Sequence, residues 1–129
     1  MIDNQSVQAW VRAYERVWRT AGTDQVGELF TTDATYRMSP FKEPHRGLDA
    51  IRRLWDAERD GPDEEFTMTF DVVAVDDPVA IVRLEVLYGP PQQEHFRDLW
   101  ILEFAPDGRC RSFEEWPFTP EEAPPHHQP

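Results

Sequence analysis

The sequence predicts an α+β domain: three N-terminal helices packed on one face of a cone-shaped, curved antiparallel sheet. Apolar residues recur at helical spacing before Pro62 and alternate after it, and turn signals rich in Pro, Gly and Asp divide the alternating half into successive runs. A length of 129 residues with 40% hydrophobic side chains fits one core and excludes two full domains. From Val7, the residues Val7, Trp10, Val11, Tyr14, Val17 and Trp18 form the stripe of an amphipathic helix, with Ser6 near its start and Ala21–Gly22 ending it. Thr23 or Asp24 is placed to cap a second helix of about two turns, whose buried side is Val26, Leu29 and Phe30. Ala34 to Met38 reads as a short strand. Ser39, Pro40 and Pro44 then enforce an extended loop to Gly47, because proline fixes its own φ and biases its predecessor away from helix. In a third helix Leu48, Ile51, Leu54 and Trp55 share one side, with Asp49, Arg52, Arg53, Asp56 and Arg59 on the other, and Gly61–Pro62 stop it.

The alternating half begins with Phe66, Met68 and Phe70 and resumes at Val73 and Val75, a slip that predicts a bulge near Val72. Further strands are expected at Val79–Tyr88, Glu94–Phe104 and Arg109–Phe118, and their short connections imply antiparallel hairpins. Residues 1–118 form the single expected domain. The segment 119–129 holds four of the twelve prolines and no large apolar residue, so it is expected to be a disordered tail.

Composition excludes whole classes of function. The 25 Asp and Glu against 13 Lys and Arg give a net charge of −12, a field that repels phosphate backbones and anionic lipid, so neither nucleic acid nor membrane is an expected partner. No apolar run approaches the roughly 20 residues of a membrane helix. Nor does Met1–Trp10 have the form of a signal peptide, so the expected location is cytoplasmic. The single Cys110 cannot build a disulfide framework or a cysteine zinc site, and His45 and His95 lack zinc-ligand spacing, so no metal is expected. With no glycine-rich phosphate loop, nucleophile elbow or dinucleotide fingerprint, no cofactor is expected either. Lys42 is the one lysine, and the arginine-rich usage fits a GC-rich, bacterial genome.

Phe30-Thr31-Thr32-Asp33-Ala34-Thr35-Tyr36, then Glu43-Pro44-His45-Arg46-Gly47, then a helix at Asp49-Ala50-Ile51 resemble the nuclear transport factor 2-like superfamily, in particular its SnoaL-like branch. The resemblance covers most of the chain and implies the same order of helices and strands, with a small-molecule pocket in the open end of the cone. It does not fix a reaction, since that superfamily hosts isomerases, cyclases, dehydratases, epoxide hydrolases and non-catalytic binders. Asp33 reads as structural, a carboxylate accepting backbone N–H groups in a turn.

Position by position, the resemblance to ketosteroid isomerase aligns Tyr14 with an oxyanion-holding tyrosine. It places Met38 where that enzyme has its proton-shuttling aspartate, and Trp100 at or near the oxyanion-binding acid, so both carboxyl groups are missing at those positions. A methionine cannot take a proton, and that enzyme's mechanism does not carry over. The resemblance to limonene epoxide hydrolase aligns Arg83-Leu84-Glu85, Glu115 and Tyr36-Arg37-Met38 with an Arg-x-Asp pair, a further Asp and a Tyr-x-Asn. The two alignments disagree on whether Arg83 and Glu85 or Leu84 and Val86 face inward; alternation favours the apolar pair, leaving Arg83 and Glu85 to a cross-strand ion-pair ladder outside.

The candidate catalytic residues are therefore Glu115 as proton carrier and Tyr36 or Tyr14 as hydrogen-bond donor. Glu115 shares a strand face with Phe113, where burial would raise its pKa into a useful range; the opposing reading makes Glu114 and Glu115 a solvated pair at a strand edge. Trp18, Met38, Trp55, Tyr88, Trp100 and Phe113 are the expected pocket walls for a small apolar or aromatic molecule. The expected function is cofactor-independent acid–base chemistry of the isomerase, cyclase or dehydratase type. Alternatives are an epoxide hydrolase using Arg83, Glu85 and Glu115, and a non-catalytic binding or dimerisation module. A homodimer through the outer face of the sheet is expected in each case.

Overall fold

The computed structural model describes residues 1–59, 65–89 and 94–120. The expected stop at Gly61–Pro62 and the expected tail beyond residue 120 lie outside them. Helix α1 (Asn4–Trp18) starts one turn before Val7 because Asp3 caps it: the Ser6 N–H donates to Asp3 Oδ1 at 2.8 Å and the Asp3 N–H to Ser6 Oγ at 2.9 Å. Its buried residues, Val7, Trp10, Val11, Tyr14 and Val17, are the expected stripe. Helix α2 is a single turn, Val26–Leu29, capped by neither Thr23 nor Asp24: Gln25 precedes it without a side-chain bond. The Trp10 indole donates to Leu29 O at 3.1 Å and ties the two helices together.

Strand β1 (Phe30–Arg37) begins four residues before the expected Ala34, directly at the end of α2. Thr31 turns inward there, and its hydroxyl donates to Asp33 Oδ1 at 3.0 Å. Asp33 thus lies within a strand and accepts from a side chain, without the turn expected of it. The two-residue strand β2 (His45–Arg46) pairs with β1 where an extended loop was expected. Gly47 then turns the chain into helix α3 (Leu48–Glu58) at φ +88°, a value that suits glycine, while its N–H donates to Ala34 O at 2.8 Å. Ile51, Leu54 and Trp55 are buried from α3 as expected. Arg59 is not on the solvent side as expected: its side chain, 5% exposed, donates to Val17, Trp18, Thr20 and Gly22 carbonyls at the end of α1.

Strands β3 (Phe66–Asp76), β4 (Val79–Tyr88), β5 (His95–Phe104) and β6 (Cys110–Phe118) form an antiparallel meander. The register of β3 slips between Val72 and Ala74, at the expected bulge, but the slip turns Val73 outward to 50% exposure instead of inward. An extra residue there leaves Val72 facing the core and returns Val75 to the same side. The sheet order is β2-β1-β6-β5-β4-β3, and β1 joins β6 in parallel, the one parallel pair among the described strands. The sheet is curved and unclosed, and its concave face receives Trp10, which meets Tyr14, Phe30, Trp100, Phe104 and Phe113 at ring-centroid distances of 5.6–6.3 Å. Each such side chain removed from water contributes about 1.5–3 kcal/mol, so this aromatic centre holds helices to sheet. Cys110 is buried in the same core; burial pushes its thiol up to about 12, and it acts as packing, not as a nucleophile.

Candidate active site

Beyond the aromatic centre, the open end of the sheet encloses a cavity of about 250 Å³ between α1, α3 and the concave face. Tyr14 and Trp18 reach it from α1, one helical turn apart, and Leu54, Trp55 and Glu58 from α3. Tyr36 and Met38 come from the end of β1, and Phe66, Met68, Val86, Tyr88, Phe96, Asp98, Trp100, Glu115 and Pro117 from the inward positions of β3 to β6. Eight expected residues are thereby gathered at one cavity: Glu115, Tyr36, Tyr14, Trp18, Met38, Trp55, Tyr88 and Trp100. Phe113 does not line it. That ring is 1% exposed and lies behind the tyrosines, stacked on Tyr36 at 4.3 Å and on Tyr14 at 5.7 Å. Its effect is to fix the two phenols.

The Tyr14 and Tyr36 hydroxyls meet at 2.8 Å. Burial is the first cause raising both phenols well above their usual range; the next is the Glu115 charge for Tyr14 and the Tyr14 neighbour for Tyr36. Both therefore stay protonated at neutral pH, and a bonded pair of hydroxyls retains a proton to donate to a third oxygen.

Glu115 and Asp98 form the acidic end of the cavity. Trp100 sits directly across the β5–β6 ladder from Glu115, and Asp98 precedes Trp100 by two residues on the same face. The two carboxyls are hydrogen-bond neighbours. Burial first, then the Asp98 charge, pushes Glu115 well above the usual carboxylate range. Burial also raises Asp98 to about 6, although its bonds to Glu115 and Trp100 act in the opposite direction. Two acids so close cannot both ionise cheaply, and the pair holds one proton at neutral pH. The Trp100 indole N–H favours the charged form of both carboxyls, yet it has no hydrogen-bond partner of good geometry; Trp55 Nε1 and Asp98 Oδ1 are likewise buried without one.

Sequence reasoning missed Asp98. It lies two residues before Trp100 on the same inward face of β5. Period-two alternation from Trp100 was the signal that could have found it. Glu58 was missed for a different reason, since it lies beyond the apolar stripe of α3 and reaches the cavity at its rim.

Arg83 and Glu85 do not belong to the site. Leu84 is 2% exposed and faces the core, which turns Arg83 and Glu85 to the outer face. There Arg83 meets Asp71 at 3.4 Å, and Glu85 meets His95 at 2.7 Å and Arg97 at 3.2 Å, a cross-strand ladder. His95 and Arg97 hold the Glu85 carboxyl below its usual range. The parity that places Glu115 inward places Glu114 outward, where it lies 3.6 Å from Arg37 and accepts from the Trp116 indole at 2.6 Å. His45 sits opposite Tyr36 on β2 and does not line the cavity. Among the described residues no group of three or more His, Cys, Asp or Glu is placed to hold a metal ion.

Comparison with known proteins agrees with this architecture. The family model for the SnoaL-like domain matches residues 11–113, and the chain belongs to that family, within the nuclear transport factor 2-like superfamily. Among solved structures it is similar to SalBIII, an epoxide hydrolase/cyclase-like enzyme in pyran ring formation in the polyether salinomycin, with TM-score 0.75, 20% identity and coverage of 92% of this chain and 95% of that one. It is also similar to an LEH-like epoxide hydrolase of M. tuberculosis, with TM-score 0.67, 16% identity and coverage of 89% and 81%. A third similar structure is an NTF2-like protein of unknown function from Burkholderia xenovorans LB400, with TM-score 0.69, 16% identity and coverage of 94% and 89%. At these identities the likeness establishes the fold. No curated protein is similar enough in sequence to count as a relative. Among the described residues no helix is long and apolar enough to cross a membrane.

Proposed function

We propose that the chain is an acid–base enzyme that binds a compact, largely apolar molecule and closes or opens a ring on it, with Asp98 and Glu115 as the proton-transferring pair. The observation that carries this reading is the pair itself: two carboxyls on adjacent strands, facing an aromatic cavity, with affinities pushed apart so that one is acid and the other base at neutral pH. The Asp98 carboxylate takes the proton from an attacking hydroxyl, either of water or of the substrate. The Glu115 carboxylic acid gives its proton to the oxygen of the C–O bond that breaks, as in epoxide opening, and Tyr14 or Tyr36 donates a hydrogen bond to that oxygen. After the step the proton is on Asp98 and the charge on Glu115. Transfer back through their mutual hydrogen bond restores the starting state, so the chain's own groups suffice.

The epoxide hydrolase/cyclase-like and LEH-like neighbours support a C–O bond reaction over a carbon-acid isomerisation, and so does Met38, which lines the cavity with the phenols and stands where the resemblance to ketosteroid isomerase places a proton-shuttling aspartate. The test is turnover of a panel of small aryl epoxides and γ,δ-epoxy alcohols, read by product analysis. Glu115→Gln and Asp98→Asn are each expected to lower kcat by at least about a hundredfold, with ligand affinity changed by less than about threefold. Full activity in either variant would overturn the assignment, and binding without turnover in the native protein would make the chain a binding module. A cytoplasmic homodimer joined through the outer face of the sheet completes the proposal.

A further inference from the structure

Trp100 is related to both carboxyls of the site by the sheet itself: it faces Glu115 across the β5–β6 ladder, and Asp98 precedes it by two residues on the same face. Its ring is 3% exposed and held from three sides, by Tyr14 at a centroid distance of 4.6 Å, Phe113 at 4.8 Å and Trp10 at 6.3 Å. The N–H of a ring fixed in this way does not turn to follow a partner. It lies near enough to Asp98 and Glu115 to favour the charged form of each, yet it makes a bond of good geometry with neither, and Asp98 Oδ1 is likewise buried without a partner. Buried donors and acceptors left open in a packed interior are rare, and here both belong to the acid pair and its neighbour.

What an indole adds between two acids differs from what a guanidinium would add. A full positive charge pulls both carboxyls toward ionisation and leaves no proton to give. An indole is a donor only and carries no charge, so it offers one hydrogen bond and lets the pair keep its proton. The other titratable groups at the cavity do not take this part. Tyr14 of α1 and Tyr36 of β1 bond each other at 2.8 Å, Tyr88 lines the wall from β4, and Glu15 of α1 and Glu58 of α3 add negative charge. No Arg, Lys or His is among the residues lining the cavity.

We infer that Trp100 is a positioning residue of the acid pair: its indole N–H serves the Asp98 carboxylate before the step and the Glu115 carboxylate after it, reached by small rotations of the carboxyl groups past a ring that stays in place. One N–H bonds one carboxylate well at a time, so the donor follows the negative charge to Glu115 and returns with it when the proton passes back. The inference rests on the reading of Asp98 and Glu115 as the proton-transferring pair. Trp100 acts through those carboxyls and needs no contact with the substrate.

The test removes the donor and little else from the full chain. Trp100→benzothienylalanine keeps the size and shape of the indole and puts sulfur where the N–H was. Carboxyl carbon-13 NMR, titrated beside the native chain, is expected to show the Asp98 midpoint rising from about 6 by roughly one pH unit, because the charged form has lost its donor. A ring that merely packs gives no shift, and a loosened one gives the opposite sign, since admitted water lowers a carboxyl raised by burial. On the unaltered chain, the Trp100 indole proton, assigned by its loss in Trp100→Phe, is expected to move downfield with the same midpoint as Asp98. An unmoved or lowered Asp98 midpoint in the isostere, or an indole proton indifferent to that titration, overturns the inference while leaving the shared proton in place. Ionisation of both carboxyls near 4 in the native chain overturns the proposed function and this inference together.

Discussion

At the scale of single residues the site is a compromise between chemistry and stability. Asp98 titrates at about 6 in the folded chain and near 4 when unfolded, and Glu115 is displaced in the same direction. A raised carboxyl favours the folded state fully below its unfolded pKa, and that contribution is lost as pH rises through the folded one. Stability is therefore expected to fall between about pH 4 and 6 because of Asp98, and further at higher pH because of Glu115. At pH 8 Asp98→Asn should raise Tm by several degrees, since removing the charge recovers at most about 3 kcal/mol; an unchanged or lower Tm there would contradict the burial argument. Glu115 was legible in the sequence through its position on the last strand. Asp98 was not, because an acid inside an aromatic strand face reads as an exception to burial until its partner is known.

At the scale of elements, the helices and the meander followed from periodicity, while the junctions did not. Strand β1 begins at Phe30 and not Ala34 because α2 is too short to absorb that ring, which is buried instead as the first residue of the sheet. The parallel pairing of β1 with β6 is a non-local contact that no local pattern encodes. Arg59 shows the same limit: its spacing assigns it to solvent, yet it closes the C-terminal turn of α1 from another helix. A helix C-terminus presents unpaired carbonyls and partial negative charge, and a guanidinium satisfies both. Arg59→Ala is expected to destabilise the fold by about 2 kcal/mol in urea unfolding and to weaken ligand binding by loosening Trp18, whose ring it faces at 6.0 Å. Arg59→Lys should recover only part of the loss, because one ammonium cannot reach four carbonyls.

At the scale of the whole molecule, the concave face is filled by core and cavity, and the outer face remains to be explained. It carries an apolar strip in which Ile81 pairs with Ile101 and Leu99 with Trp116, flanked by Leu87 and Phe118 at 46% and 55% exposure. In the proposed homodimer, pairing two such faces would remove the strip from water, with the ion pairs of Arg83, Glu85 and Arg97 around it. Light scattering is expected to give the mass of two chains, and Ile101→Glu the mass of one. A monomer in the native protein would contradict the dimer. The net charge of −12 and the acidic cavity are two levels of the same bias, and only the first was visible in composition.

The account depends above all on one shared proton between Asp98 and Glu115. Carboxyl carbon-13 NMR of the native chain, titrated from pH 3 to 9 with Asp98→Asn and Glu115→Gln for assignment, measures it directly. The expected result is one aspartate titrating near 6 and one glutamate that keeps its proton well above the ordinary carboxylate range. If both carboxyls instead ionise together in the ordinary range near 4, the pair is no acid–base couple, and the proposed chemistry fails with it.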